Sequence, residues 1–199
     1  MLIEAVTAQV PKFFDLVRSG DVEIYNEFSL QHELGIGLRS SVPVSTRVQF
    51  ERPVDFFQPW SDDYEKKEID IVIFTVDRKD RVAVELKFPR NGQYPEQMFS
   101  ACCDIAFLEQ LVCGGFAGGL FVMAVDDPGF RTGRDLDGIY AHFRAGQPIS
   151  GIIRKPTGKS DRAITIRGRY IVQWQNVKAG LNYCSVCVLE ADARGLTRR

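Results

Sequence analysis

The segment from Glu68 to Pro89, EIDIVIFTVDRKDRVAVELKFP, places the strongest constraint on the fold. Two runs rich in valine, isoleucine and phenylalanine flank the polar turn DRKD, which is typical of two β-strands and their hairpin connection. Side chains alternate between the two faces of a strand, so Glu85 and Lys87 share one face, and Asp70 interrupts the preceding strand. Burying such charges costs on the order of several kcal/mol each unless they are paired or bind a metal. The segment therefore predicts a β-sheet in which charged side chains are retained because they are paired or bind a metal.

Helices and further strands surround this hairpin. Apolar residues between Ile3 and Val17 recur at near-helical spacing, with Pro11 as a kink or break, and they predict an N-terminal helical region. The sequence predicts further helices at about 26–38, at 95–113 and from Thr132 or Gly133 to Gly146, and strands at about 45–52, 68–76, 82–88, 120–125, 163–175 and 182–189. This order predicts an α/β (α+β) architecture with a central mixed β-sheet flanked by helices.

Length and composition predict a single domain over residues 1–199, since 199 residues can bury one sizeable core. No apolar run approaches the ~20 residues that would span a bilayer, so we expect no membrane association. The first residues lack the cationic start and apolar block of a secretory signal. The five cysteines are an odd number and do not form a disulfide framework, which favours a reducing compartment and predicts a cytoplasmic protein.

Charge is distributed unevenly along the chain, although the formal net charge is only -1. Residues 151–175 hold six lysines or arginines against one acid, and residues 55–70 hold six acids against two lysines. The first segment is suited to phosphates and the second to cations, but two solvated charged surfaces explain the same counts. The basic residues that we expect to contact nucleic-acid phosphates are Arg154, Lys155, Lys159, Arg167 and Arg169.

The order of acidic and basic residues resembles that of the PD-(D/E)XK nuclease superfamily, which has the restriction-endonuclease-like fold. In that family a helix carries a glutamate, a strand carries an aspartate, and the next strand carries an acid-x-lysine motif. These positions fall on Glu33, on Asp70, and on Glu85 with Lys87. The predicted helix and strand that follow also match the family. The dipeptide PD itself is absent, because Ile69 precedes the aspartate.

The resemblance covers about residues 26–127, and it leaves the N-terminal helical region and a β-rich C-terminal extension unexplained. It implies a metal site for Mg²⁺ or Mn²⁺ that is formed by Asp70, Glu85 and the carbonyl of Leu86, with Glu33 completing the site or binding through water. Lys87 would orient the attacking water or help to deprotonate it. Mg²⁺ prefers oxygen ligands and assists phosphodiester hydrolysis, which gives this donor set a chemical reason.

Gln97 is an auxiliary candidate, because relatives in the exonuclease-like branch place a glutamine at the start of the corresponding helix. In those relatives a tyrosine follows the glutamine, whereas here Tyr94 precedes Gln97. Helix capping or simple solvation would explain this glutamine equally well.

Three functions remain open at this point. The first is a metal-dependent endo- or exonuclease that hydrolyses DNA rather than RNA. The second is a catalytically inactive nucleic-acid-binding or assembly module on the same fold, and the third is an unrelated α/β protein whose resemblance to the family is accidental. A purely structural explanation of the motif is also open, in which Glu85 and Lys87 form an ion pair on a solvent-facing side of the sheet and Asp70 simply begins its strand. The modest net charge argues against DNA binding, since nonspecific affinity depends on phosphate neutralisation. A homodimer that places the basic segments 151–175 of two subunits around one duplex would offset the low net charge.

Overall fold

The computed structural model describes residues 1–59, 64–90, 92–158 and 161–195. The helices are α1 (Leu2–Ser19), α2 (Glu27–Ser41), α3 (Tyr94–Cys113), α4 (Ile139–Arg144) and α5 (Glu190–Ala193). The strands are β1 (Thr46–Pro53), β2 (Glu68–Thr75), β3 (Arg81–Lys87), β4 (Gly118–Val125), β5 (Ile149–Arg154), β6 (Ala163–Tyr170), β7 (Gln175–Lys178) and β8 (Leu181–Val188). Two short 3₁₀ turns lie at Val54–Phe56 and Pro128–Phe130.

Six strands form a central mixed sheet in the order β1-β2-β3-β4-β8-β7. Strands β3 and β4 are parallel and are connected through α3, whereas the other neighbours in this sheet are antiparallel. Strands β5 and β6 form a separate hairpin. The prediction of a mixed central sheet flanked by helices is therefore confirmed. The C-terminal segment also takes part in this sheet, because β8 pairs with β4.

Apolar layers cover both faces of the central sheet. Helix α3 and the β5–β6 hairpin lie on one face, and α1 and α2 lie on the other. Strand β4 is buried along its whole length, and its two glycines bring helices close to it on opposite faces. A Cβ on Gly118 would meet Ile3 of α1 at 2.7 Å, and one on Gly119 would meet Leu108 of α3 at 2.9 Å. The charged groups of β2 and β3 thus lie in a sheet with both faces covered.

Several sequence predictions differ from the observed elements, among them the strand predicted at 163–175, which ends at Tyr170. Pro11 lies inside α1 and does not end it. The helix predicted from Thr132 or Gly133 begins only at Ile139, because the backbone before it is held in a loop: Arg144 donates from Nε to the carbonyl of Gly129 at 3.0 Å and from Nη1 to that of Asp135 at 3.0 Å. Strands β5 and β7 were not predicted from the sequence.

Membrane-spanning helices are not found in the described part of the chain, since no helix there is both long and apolar enough to cross a bilayer.

A buried carboxylate on α3 holds the β5–β6 hairpin in place. Glu109 accepts hydrogen bonds from the backbone N–H of Arg167 at 2.9 Å, from that of Gly168 at 2.7 Å and from the hydroxyl of Tyr170 at 2.8 Å. Glu109 is 3% exposed, so these three donors take the place of water around its charge. The carboxylate therefore fixes the position of the basic hairpin relative to α3.

We predict that Glu109→Ala lowers the free energy of unfolding by about 2–4 kcal/mol, because it leaves buried donors without an acceptor. Glu109→Gln keeps one acceptor oxygen and should cost less. Glu23→Ala, at an exposed position, is the control and should change stability by less than about 0.5 kcal/mol. Urea denaturation followed by circular dichroism measures all three, and equal stability of Glu109→Ala and wild type would contradict the prediction.

Candidate active site

The site lies where the pairing between β2 and β3 stops. Ile71 and Val84 are the last paired residues toward this end of the hairpin. Beyond them, the backbone N–H of Asp70 donates to Glu85 Oε1 at 3.2 Å, and the N–H of Leu86 donates to Asp70 Oδ2 at 2.8 Å. Each carboxylate is thus bound to the backbone of the opposite strand. These reciprocal bonds bring the two acids together in a defined geometry.

The carbonyl of Leu86 faces the same gap. The N–H and C=O of one residue in an extended strand point to the same side, and the N–H of Leu86 points toward β2. The Leu86 oxygen therefore points toward Asp70 rather than toward β4, and Lys87 Nζ lies 3.4 Å from it. Two carboxylates and one carbonyl oxygen meet at this end of β2 and β3.

Helix α2 closes one side of the gap with its first turns. Glu27 Oε2 accepts a hydrogen bond from the N–H of Phe88 at 2.9 Å, which ties the helix to the end of β3. Gln31 donates from Nε2 to the carbonyl of Asp70 at 2.8 Å and also to the carboxylate of Glu51. A cavity of about 60 Å³ is lined by Glu27, Phe28, Gln31, Glu51, Asp70 and Leu86. The cavity gives the site an opening beside α2.

An ammonium group lies among the carboxylates. Lys66 Nζ contacts Glu85 Oε2 directly and lies 3.0 Å from Asp70 Oδ1 and 3.6 Å from Asp104 Oδ1. Lys66 comes from the segment that leads into β2, and its side chain is mostly buried. One lysine thus bridges both acids of the hairpin and an acid of α3.

Lys87 pairs with the same acid of α3. Its Nζ lies 3.0 Å from Asp104 Oδ2. Lys87 and Glu85 therefore face α3, as the alternation of β3 predicts, while Val84 and Leu86 pack on the opposite side with α1 and α2. Asp70 lies on the same side of the sheet as Lys87, since Lys66 contacts both Asp70 and Asp104, the acid that pairs with Lys87.

Burial sets the proton affinities of these groups. Burial, strengthened by repulsion from Asp70, raises the pKa of Glu85 above its ordinary value, although Lys66 acts in the opposite direction. Burial also raises the pKa of Asp104 to about 6, against the attraction of Lys87 and Lys66. Burial lowers the pKa of Lys66 and of Lys87, but the surrounding carboxylates outweigh it and raise both. The two lysines are therefore ammonium ions at neutral pH.

The structure brings together four of the predicted site residues and separates one. Asp70, Glu85, Leu86 and Lys87 meet at the gap between β2 and β3. Glu33 does not join them: its carboxylate lies 3.1 Å from Nδ1 of the neighbouring His32. The acid that α2 contributes is Glu27, six residues earlier on the helix.

Gln97 remains a prediction. It is half-buried in the first turns of α3, seven residues before Asp104. A spacing of seven residues is close to two helical turns, so the two residues lie on similar faces of the helix.

Four residues of the site were not predicted, namely Lys66, Asp104, Glu27 and Gln31. Asp104 had a signal in the sequence, because it is a lone carboxylate in the apolar run SACCDIAFL. Glu27 lies in the first turn of α2, where carboxylates are common because they complement the helix dipole, so its position does not single it out. Lys66 comes from an irregular segment, where no periodicity indicates the direction of a side chain.

The basic residues lie on the β5–β6 hairpin. Arg154 ends β5 and Lys155 follows it, whereas Arg167 and Arg169 are on the exposed side of β6. Lys159 lies outside the described residues. The end of the hairpin reaches the site, because Arg162 forms an ion pair with Glu65, the neighbour of Lys66.

The donor set fits a hard divalent cation in its chemistry. Asp70, Glu85 and the Leu86 carbonyl all offer oxygen, which Mg²⁺ and Mn²⁺ prefer. Within residues 1–59, 64–90, 92–158 and 161–195, no group of three or more His, Cys, Asp or Glu side chains is arranged to hold a metal ion. A set of two carboxylates and one carbonyl does not require such a group, and the third carboxylate, Asp104, is paired with lysines.

No model of a known protein family, no curated protein and no solved structure matches this chain. Functional interpretation therefore depends on the residues of the site and on their geometry.

We predict that the stability difference between Asp104→Asn and wild type depends on pH. Because the pKa of Asp104 is raised from 3.8 to about 6, the folded state binds the proton more tightly than the unfolded state does. The contribution of Asp104 to stability therefore falls as the pH rises from about 4 to about 6. Asparagine does not ionise, so Asp104→Asn should gain about 2–3 kcal/mol relative to wild type over this range.

Chemical denaturation at pH 4, 5, 6 and 7, in the presence of a chelator, measures this difference. The exposed Asp137→Asn controls for the general effect of removing one negative charge. A difference between Asp104→Asn and wild type that stays constant from pH 4 to pH 7 would show the prediction to be wrong.

Proposed function

We propose that this protein is a metal-dependent nuclease that hydrolyses phosphodiester bonds in DNA, on a restriction-endonuclease-like core. One observation carries the proposal: the reciprocal hydrogen bonds between β2 and β3 hold Asp70, Glu85 and the Leu86 carbonyl at one place, with Lys87 beside them. Oxygen ligands that can hold a hard divalent cation, together with a nearby positive charge, are suited to phosphodiester hydrolysis.

The order and pairing of the elements support the core. Helix α2 precedes three antiparallel strands, and α3 then connects β3 to the parallel strand β4. The acids lie at the end of the β2–β3 pair, and α2 supplies a further carboxylate through Glu27. This arrangement agrees with the family pattern, except that Glu27 takes the place expected for Glu33.

The chain's own residues have separate roles in the proposed reaction. Asp70, Glu85 and the Leu86 carbonyl would hold Mg²⁺ or Mn²⁺, which when bound supplies an activated water and neutralises charge on the phosphate. Lys87 is an ammonium ion at neutral pH, so it orients the water and offsets developing negative charge, and it does not act as the base. Asp104 fixes the position of the Lys87 ammonium through their ion pair at 3.0 Å.

The hairpin β5–β6 is the proposed surface for nucleic acid. Two side chains at the end of the hairpin make contacts near the site. Arg162 forms an ion pair with Glu65, and the hydroxyl of Thr157 donates a hydrogen bond to Glu96 at the start of α3. Phosphates held at this end of the hairpin, where Arg154 pairs with Ala163, would therefore lie near the acids of β2 and β3, whereas Arg167 contacts Cys113 at the far end of α3. A homodimer would place two such hairpins on one duplex and would offset the small net charge.

A catalytically inactive nucleic-acid-binding module is the second candidate, and the position of Lys66 favours it. The ammonium of Lys66 already neutralises part of the charge on Asp70 and Glu85 without any metal. A protein that had lost catalysis could keep the acids as a structural ion cluster. Cleavage of DNA that depends on a metal ion would distinguish the nuclease from this inactive module.

We predict that purified protein cuts DNA with Mg²⁺ or Mn²⁺ and that a chelator abolishes cleavage. Asp70→Asn and Glu85→Gln should remove both metal binding and cleavage, because each removes one charged ligand. These variants are preferable to alanine, since an amide oxygen can still accept the backbone hydrogen bonds that each carboxylate makes. Plasmid cleavage and calorimetric metal titration are the measurements.

Lys87→Ala should behave differently in the same assays. Metal should still bind, whereas cleavage should slow by roughly 10²–10⁴-fold, the usual effect of losing a positioned catalytic group. Lys79→Ala, in the exposed β2–β3 turn, is the matched control. Wild-type protein that cuts neither DNA nor RNA with any metal, or Lys87→Ala that cuts as fast as wild type, would favour the binding module.

We predict that paired replacement of the basic residues weakens DNA binding equally for all sequences. Arg154 with Lys155, and Arg167 with Arg169, are changed to glutamine, and Lys159 is changed separately. The slope of log affinity against log salt should become shallower by about 0.9 for each phosphate that the protein no longer neutralises. Fluorescence anisotropy at several salt concentrations measures both effects, and the exposed pair Lys12 with Lys79 is the control. An unchanged slope would mean that the hairpin is only a solvated surface.

A further inference from the structure

Lys66 is the least expected member of the site. It comes from outside the β2–β3 hairpin, and its ammonium touches Glu85 Oε2 and lies 3.0 Å from Asp70 Oδ1. These are the two carboxylates that the proposed function assigns to the cation. The ammonium therefore lies where a cation shared by both carboxylates would lie.

Charge explains why a lysine is needed there. Asp70, Glu85 and Asp104 converge around Lys66, and Lys87 pairs with only one of them. With all three carboxylates ionised, the three carboxylates and two ammonium groups carry a net charge of -1 in a largely buried cluster. Without Lys66 the same cluster would carry -2 with the fully buried Glu85 among its members, which is unfavourable unless another cation enters.

We propose that Lys66 is a resident counter-cation that competes with the divalent metal for Asp70 and Glu85 and leaves them when the metal binds. This inference rests on the proposed function and concerns the regulation of the same site. Lys66 keeps the acids together and neutralises part of their charge in the metal-free protein. Its side chain retains 28% exposure, which gives it a route outward toward solvent.

The competition has a direct consequence for metal affinity. Metal that binds to wild-type protein must replace the contacts of Lys66 with Asp70 and Glu85, so part of its binding free energy is used to break them. Removing the ammonium should therefore tighten metal binding. Loss of one competing unit charge at contact distance should increase affinity for Mn²⁺ by at least about tenfold.

Calorimetric titration with Mn²⁺ tests the proposal on Lys66→Met, Lys66→Arg and wild type. Lys66→Met removes the charge and keeps an apolar side chain, and it should bind Mn²⁺ more tightly. Lys66→Arg keeps the charge and should remain close to wild type. Lys79→Met, which loses a lysine in the exposed turn, controls for the general loss of positive charge and should not change affinity.

A second measurement uses wild-type protein, in case Lys66→Met does not fold without metal. Acetylation of lysines by an amine-reactive ester is followed by mass spectrometry with and without saturating Mg²⁺. Lys66 should react slowly without metal, when its ammonium is held by carboxylates, and several-fold faster with metal. Lys79 should react at the same rate in both conditions.

The outcomes separate this inference from the proposed function. Equal Mn²⁺ affinity of Lys66→Met and wild type, together with Lys66 acetylation that metal does not change, overturns the inference. If metal-dependent DNA cleavage persists in that case, the nuclease proposal stands. Absence of metal binding to both wild type and Lys66→Met overturns the inference and the metal site together.

Discussion

Side-chain hydrogen bonds take over from backbone pairing at the end of β2 and β3, and the geometry of the site depends on this exchange. Asp70 and Glu85 bind each other's strand through the N–H groups of Leu86 and Asp70. A regular ladder would use these backbone groups itself and would leave the carboxylates unsupported. Because the ladder stops, each acid has a fixed partner and the Leu86 carbonyl faces the gap. The interruption of the backbone ladder therefore fixes the positions of the candidate ligands.

Helix α3 links the site to the proposed nucleic-acid surface through two buried acids. Asp104 pairs with Lys87 and lies near Lys66, and Glu109 holds the backbone of the β5–β6 hairpin. The two acids are five positions apart on the same helix, so both are fixed by one rigid element. The relative position of hairpin and site is then set by the helix, and it does not depend on a flexible connection.

Periodicity predicted the parts of the fold in which burial repeats regularly. Alternation in β3 correctly placed Glu85 and Lys87 on one face, and the apolar run of α3 gave its bounds closely. Periodicity failed to predict the structure where polar contacts fix the backbone conformation, as in the loop that Arg144 holds before α4. It also failed for side chains that arrive from elsewhere: no local pattern shows that Lys66 reaches Glu85, or that Glu27 rather than Glu33 reaches β3.

The position of β8 beside β4 affects how the chain folds during its synthesis. Strand β4 is buried throughout and pairs with β3 on one side, but its other partner begins only at Leu181. While the chain is being synthesised, β1 to β4 can pair well before β8 exists. During that interval the apolar edge of β4 is open to other chains, and such edges template aggregation. Slow synthesis between β4 and β8 should therefore favour misassembly more than a pause of equal length before β4.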